Sequence, residues 1–100
     1  MKRTVVFTPE ARDDLQELYD CIATHGSPAR AIGFLQQIEE ACVSLSTFAE
    51  RGRLREDLRP GLRVMGFKYR VSIAFRGNPD EVAILRILYK GRSLRRALEG

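Results

Sequence analysis

Residues 4–28 read TVVFTPEARDDLQELYDCIATHGSP, and this stretch decides the fold. It opens with a short β-type run over residues 4–7. Thr8-Pro9-Glu10 then supplies a capping hydroxyl, a proline suited to the first helical turn and a carboxylate that complements the positive end of a helix. The stretch therefore predicts a strand that is followed at once by a helix beginning at the proline.

Two amphipathic helices are predicted on either side of His25-Gly26. Apolar residues recur at spacings of three and four in the first helix, namely Ala11, Leu15, Leu18, Tyr19 and Ile22. Ser27-Pro28 repeats the cap-and-proline signal, and a second apolar stripe follows at Ala31, Phe34, Leu35, Ile38, Cys42 and Leu45. Because only a residue or two separate them, the helices are expected to fold back antiparallel.

The second half of the chain predicts β-structure. Residues 46–61 lack periodicity and are interpreted as a long connecting loop, after which residues 62–67 resume a strand. Residues 69–76 alternate apolar with polar, which predicts one face on the helices and one face that carries arginine. After a turn at residues 77–80, residues 82–89 are apolar on both faces, as in a central strand, with Arg86 as the interruption.

Ser93 is predicted to cap a short terminal helix that runs through Leu98. The order of elements predicts a single domain over residues 1–100 of the α+β class. Its expected parts are an N-terminal strand, an antiparallel α-hairpin, a three-stranded antiparallel sheet packed on the helices, and a short C-terminal helix.

The charge changes sign at the midpoint of the chain. Residues 1–50 carry four basic and eight acidic side chains, and residues 51–100 carry thirteen basic and five acidic ones. A basic sheet implies an anionic partner, which is nucleic acid, a nucleoprotein machine or an acidic protein segment. No apolar run approaches the roughly 20 residues of a membrane span and no signal-peptide pattern is present, so a cytoplasmic protein is expected.

Most candidate chemistry in the first half of the chain is interpreted as structural. Cys21 and Cys42 each fall in an apolar stripe, about 15 Å apart in a hairpin, so reduced core thiols are predicted. His25, the single histidine, is expected at a helix terminus. The acidic residues of the first helix are interpreted as a solvated face: Glu10, Asp13, Asp14, Glu17 and Asp20. The absence of a metal-ligand cluster and of a Gly-rich phosphate loop predicts no metal and no cofactor.

An ordered set of motifs runs over nearly the whole chain, namely Thr8-Pro9-Glu10-Ala11, Asp14-Leu15, Ser27-Pro28 with Ala31 and Phe34, Arg51-Gly52, Pro60-Gly61-Leu62-Arg63, Tyr69-Arg70-Val71, Val82 and Ile84-Leu85-Arg86-Ile87-Leu88. Together they resemble the motifs of the RelE/ParE superfamily of type II toxins. No single motif is specific, but their order and spacing are, and the loop motif Pro60-Gly61-Leu62-Arg63 is more similar to the ParE branch.

This resemblance implies a bacterial growth-inhibiting toxin whose cognate ParD-like antitoxin wraps it in a hetero-oligomer. The ParE branch poisons DNA gyrase, which is the function expected here, with binding rather than catalysis as the mechanism. A degenerate family member with little toxicity is a further interpretation. The chain is expected to meet nucleic acid only through its target or through the antitoxin complex, and to meet no membrane.

The RelE branch is the alternative, since it cleaves mRNA in the ribosome without a metal. Arg70 and Arg92 occupy positions where that branch places basic catalytic groups, and Tyr89 is a candidate acid-base or stacking group. Arg63 and Met65 stand where the nuclease branch often carries lysines as its base. Arginine stays protonated near neutrality, so it clamps a phosphate but serves poorly as a general base.

The candidate binding residues lie mostly on the predicted strands. Arginines 63, 70 and 86 are expected to converge on one sheet face, where their planar forks would dock the acidic segment of the antitoxin. Met65 and Phe67 are expected either to add apolar surface to that groove or to be buried beneath the terminal helix. The full set of predicted antitoxin- or target-binding residues is Arg63, Met65, Phe67, Arg70, Arg86, Tyr89, Lys90 and Arg92.

Overall fold

A computed structural model describes residues 2–68, 70–89 and 92–99 of the chain. Along the chain, two long helices follow the first strand and precede the other strands of the sheet, and a short helix comes last. In chain order the elements are β1 (Thr4–Phe7), α1 (Pro9–His25), α2 (Pro28–Ser44), β2 (Arg53–Leu54), β3 (Arg63–Phe67), β4 (Val71–Gly77), β5 (Glu81–Tyr89) and α3 (Leu94–Glu99).

Each helix begins at the hydroxyl that the sequence predicts. Thr8 Oγ1 accepts a hydrogen bond from the backbone N of Ala11 at 3.1 Å, and Ser27 Oγ accepts one from the backbone N of Arg30 at 3.2 Å. Ser93 Oγ accepts from the third residue of α3 in the same way. These bonds satisfy backbone donors that a helix start otherwise leaves without partners. The predicted helix starts are therefore confirmed.

The sheet differs from the prediction because it is mixed and has five strands, in the order β1-β5-β4-β3-β2. The three antiparallel strands that the sequence predicts form its centre. β1 adds to one edge, parallel to β5, and the two-residue strand β2 adds to the other edge, antiparallel to β3. A strand of two residues is too short to show periodicity, and parallel pairing joins segments far apart in sequence. Local patterns therefore predicted the strand β1 but not its pairing with β5, and they did not predict β2.

The core lies between the sheet and the α1–α2 hairpin. Val71, Ile73 and Phe75 on β4 are buried there, as their alternation predicts, together with residues of both long helices. On β5 the adjacent residues Ile87 and Leu88 are both buried, which confirms a strand covered on both faces. Within the described residues no helix is both long and apolar enough to cross a bilayer.

The two thiols are free, as predicted, but only one of them belongs to the core. Cys42 is fully buried, and burial raises the pKa of its thiol to about 12. Cys21 is exposed, so its prediction as a core thiol is wrong. It lies in the last turns of α1, next to Ile22 of the packed stripe, and borders a surface cleft.

Candidate functional site

The predicted cluster of three arginines does not form, because the strand register separates its members. Arg63 lies opposite Phe75, and Arg86 lies opposite Ala74. Adjacent residues of a strand point to opposite faces of the sheet, so the two arginines belong to opposite faces. Arg70 follows the end of β3, in the turn that leads to β4. The prediction that the three share one carboxylate-docking face is therefore wrong.

Arg86 is engaged inside the protein rather than offered to a partner. Its Nε donates to Oδ2 of Asp14 at 2.7 Å and its Nη2 donates to Oδ1 at 2.8 Å, a two-point pair between β5 and α1. Its Nη1 donates to the carbonyl oxygen of Ala97 in α3 at 2.9 Å. The hydrogen bonds to Asp14 raise the pKa of the guanidinium. One side chain thus ties a strand to two helices.

Asp14 is a residue whose environment was predicted incorrectly from the sequence. It was predicted on a solvated face, but only 5% of its surface is exposed. Its carboxylate also accepts the backbone N–H of Ile87 at 2.9 Å, beyond the point where β1 stops pairing with β5. The signal was present, since residue 14 lies three after Ala11 and four before Leu18 on the buried stripe.

The candidates on β3 are also held by the fold. Arg63 Nη1 donates to the carbonyl oxygen of Glu50 at 3.0 Å. Met65 and Phe67 are half-buried and pack against the core on the side of the long helices, with the ring of Phe67 centred 6.0 Å from that of Phe34. Neither apolar residue therefore lies beneath α3, which was one of the two predicted positions.

Arg70 and Tyr89, by contrast, line a cleft where α1 ends and α2 begins. This cleft has a volume of about 580 Å³, and Arg30, Phe34 and His25 contribute to its walls. An adjoining cavity of about 470 Å³ shares Arg30, Phe34 and Arg70 and adds Lys68. We call the two together the basic cleft, because no described carboxylate lines either part.

The two arginines of the basic cleft are unengaged. Among the described residues, neither the Arg30 nor the Arg70 guanidinium makes a hydrogen bond or an ion pair, although the backbone N–H group of each is bonded. Lys68 Nζ donates to the side-chain oxygen of Gln37 and lies 5.8 Å from the ring centre of Phe67. The cleft therefore holds two arginine forks available to an anion.

Of the remaining candidates, Arg92 lines a small pocket that shares Cys21 and Tyr89 with this cleft. Arg92 Nη1 lies 2.8 Å from a carboxylate oxygen of Glu17, and both side chains are more than half exposed, so the pair is worth little in water. His25 is the last residue of α1, as predicted, and its Nδ1–H donates to the carbonyl oxygen of Cys21 at 2.9 Å. Lys90 falls outside the described residues. Nowhere in the described ranges do three His, Cys, Asp or Glu side chains gather as a metal site would require.

Comparison with known proteins identifies the family. The family described as the ParE toxin of type II toxin-antitoxin system, parDE, matches residues 5–94. The chain belongs to the ParE toxin family. Toxin ParE3 of Caulobacter vibrioides is 36% identical over 84 residues, which is 84% of this chain and 83% of that protein.

A solved structure is also similar to this chain in its fold. The structure described as the chromosomal ParDE TA system from P. aeruginosa superposes with a TM-score of 0.77 at 29% identity. The superposition covers 89% of this chain and 97% of that chain. The resemblance inferred from the ordered motifs is therefore confirmed, and the chain is a ParE-type toxin of a ParDE toxin-antitoxin system.

Proposed function

We propose that this ParE-type toxin arrests growth by binding and inhibiting DNA gyrase, and that a cognate ParD-like antitoxin neutralises it by forming a tight complex. Membership of the ParE family supports the target class. The similarity to a solved structure of a ParDE TA system supports the antitoxin. The fold supports binding rather than catalysis, because the residues at the positions where a nuclease would need a base have structural roles.

The observation that carries this proposal is the identity and packing of the residues on β3. In the nuclease branch this strand often carries lysines as general bases, and here the positions hold Arg63 and Met65. Arg63 is bonded to the Glu50 carbonyl and Met65 packs against the core, so both serve the fold. A guanidinium also cannot accept a proton near neutral pH. The strand therefore offers nothing that would deprotonate a ribose hydroxyl.

A ribonuclease of the RelE type remains the second candidate, because Arg70 and Tyr89 line the same cleft. Arg70 would clamp a phosphate there and Tyr89 would be the proton-transfer group. The third predicted member, Arg92, is paired with Glu17 at the rim, and the imidazole of His25 is bonded to a carbonyl. This arrangement supports phosphate binding better than it supports acid-base catalysis.

Apolar surface that the fold leaves exposed supports an antitoxin partner. The helix stripes are not its main source, because Leu18 is buried and Leu15, Phe34 and Leu35 are half-buried. The large apolar side chains that stand about half exposed are instead Ile32, Val43, Phe48 and Leu54. A partner that covers them should bury more than roughly 1,000 Å² in total.

Two activity assays on the same purified toxin test the proposed target. Supercoiling by gyrase and mRNA cleavage on translating ribosomes should be measured side by side, each with and without the cognate antitoxin. We expect inhibition of supercoiling, its reversal by the antitoxin, and intact mRNA. Rapid mRNA cleavage with unaffected supercoiling would replace the proposal by the ribonuclease, and inactivity in both assays would favour a degenerate toxin.

Thermal unfolding tests the proposed antitoxin separately. A partner that binds only the folded toxin raises its stability by mass action, about 4 kcal/mol at a thousandfold excess over the dissociation constant. We therefore expect a higher Tm in the complex and poor solubility of the toxin alone. A highly soluble monomer whose Tm does not respond to the antitoxin would contradict this part of the proposal.

A further inference from the structure

The basic cleft concentrates positive charge without compensation. Arg30 comes from the first turn of α2, and Lys68 and Arg70 come from the turn between β3 and β4. No carboxylate among the described residues lines either part of the cleft. A concave surface with charges of one sign focuses the field and attracts an anion. The site is therefore suited to a negatively charged ligand.

The state of the arginines indicates a phosphate. Planar guanidinium forks bind phosphate oxygens through two parallel hydrogen bonds. Arg86 shows what such a fork does when an internal carboxylate is supplied, since Asp14 takes two of its donors. No described carboxylate pairs with Arg30 or Arg70, and both line the same cavities. Two available guanidinium forks in one cleft are suited to binding a phosphodiester group, and the packing of the fold does not account for them.

The aromatic wall of the cleft indicates what accompanies the phosphate. Phe34 lines both parts of the cleft and is only half-buried, with its ring braced by Phe67. Proteins that bind single-stranded nucleic acid combine a positive groove with aromatic side chains on which bases stack. An acidic peptide would satisfy the arginines equally well, but its carboxylates would make no use of the ring.

From these observations we propose that the basic cleft binds a single strand of nucleic acid, with a phosphate held by Arg30 and Arg70 and a base stacked against Phe34. The cleft is open and its two parts are contiguous through shared residues, so a strand can pass through it. This inference goes beyond the proposed function, because it gives the toxin its own contact with nucleic acid whichever enzyme it targets. DNA and RNA share this chemistry.

Binding of labelled oligonucleotides to the full-length toxin tests the proposal. The probes are mixed-sequence DNA and RNA strands of about 12 nucleotides, read by fluorescence anisotropy over a range of salt concentrations. We expect Arg30→Ala and Arg70→Ala each to weaken binding by about tenfold and to lower the salt slope by about 0.7. Arg53→Ala is the matched control, since it removes an exposed arginine from β2, away from the cleft.

Gly33 offers a sharper pair of variants. It lines the cleft, and a Cβ added there would meet no atom within 4 Å, so the first atom of a side chain fits without steric cost. Gly33→Glu places a carboxylate among the arginines, and Gly33→Gln places the same shape without the charge. We expect Gly33→Glu to weaken binding by about tenfold and Gly33→Gln to stay within about twofold of the original chain.

The stacking contact is tested with Phe34→Leu, which keeps apolar bulk and removes the ring. We expect it to weaken binding of the normal strand by about tenfold and to leave binding of an abasic strand unchanged. Preference for DNA or for RNA identifies which strand the cleft takes. Equal loss for Arg53→Ala and Arg70→Ala would overturn the proposal. So would a poly-glutamate peptide that binds as tightly as the oligonucleotides, because it would assign the cleft to an acidic protein segment.

Discussion

The two ends of helix α1 use charge in opposite ways. In its first half, Asp14 is buried and holds Arg86 through two hydrogen bonds, so that α1, β5 and α3 share one ion pair. At its last turn the helix borders the basic cleft, where Arg30 and Arg70 have no carboxylate among the described residues. Arginines that look equivalent in the sequence therefore divide into a structural group and a group available for recognition.

This contrast explains why the basic charge of the second half of the chain is not all binding surface. An arginine with a buried partner contributes to the fold and is removed at a cost in stability. An arginine without a partner contributes little to stability, and its removal should change only binding.

Asp14→Ala should be the most destabilising of these substitutions. It leaves the Arg86 guanidinium partly buried without its carboxylate and removes the acceptor for the Ile87 N–H. The expected loss is about 3–5 kcal/mol in the free energy of unfolding, measured by urea denaturation. Asp13→Ala, an exposed neighbour on the same helix, should change it by less than about 0.5 kcal/mol. Similar losses for both variants would show that the ion pair is not structural.

Two glycines should respond oppositely to alanine. Gly52, immediately before β2, has a φ of +80°, and a Cβ there would lie 2.5 Å from the carbonyl oxygen of Val64, so Gly52→Ala should cost more than about 1 kcal/mol. Gly33 sits in α2 at the cleft with open space beside it, and Gly33→Ala should gain about 0.5–1 kcal/mol. Denaturant midpoints of the two variants check the pair, and equal shifts of the same sign would refute it.

Arg70→Ala should leave the free energy of unfolding within about 0.5 kcal/mol of the original value, because its guanidinium makes no bond in the described structure. The same substitution should nonetheless reduce growth inhibition in cells that lack the antitoxin. Arg86→Ala provides the contrast, since it should lose stability and toxicity together. If Arg70→Ala unfolded as readily as Arg86→Ala, the division between structural and available arginines would fail.

The two thiols should differ in reactivity with little change in stability. Burial raises the pKa of Cys42 to about 12, so this thiol stays protonated and inaccessible at any pH well below that value. Cys21 is exposed at the cleft. Alkylation of the folded toxin near pH 8 should therefore add one label per chain by mass spectrometry, and alkylation in denaturant should add two. Two labels on the folded chain would contradict the burial of Cys42.

Much of the fold could be predicted because its signals are local. The hydroxyl caps at Thr8 and Ser27, the helical stripes and the alternation along β4 each depend on neighbouring residues, and each is confirmed. The parallel pairing of β1 with β5 and the short strand β2 were not predicted. Both depend on contacts between distant segments, which no local pattern reports.

The site was harder to predict because the function of a charge depends on its partner. Arg86 was visible as a break in an apolar strand, and Asp14 was visible as a charge on an apolar stripe. Reading the two anomalies together would have paired them. The cleft offered less warning, since Arg30 and Arg70 are brought together only by the hairpin and the turn between β3 and β4. Of the predicted site residues, Arg70 and Tyr89 do lie there.

The central claim, that the toxin inhibits gyrase by binding and does not cleave mRNA, is tested most directly by a time course in cells. The toxin is expressed without its antitoxin, and chromosomal DNA breaks, cell length and mRNA integrity are followed in the same samples. We predict DNA damage and filamentation before translation stops, with mRNA still intact. Cleavage of mRNA at the ribosomal A site that precedes any DNA damage, while gyrase remains active, would contradict the account.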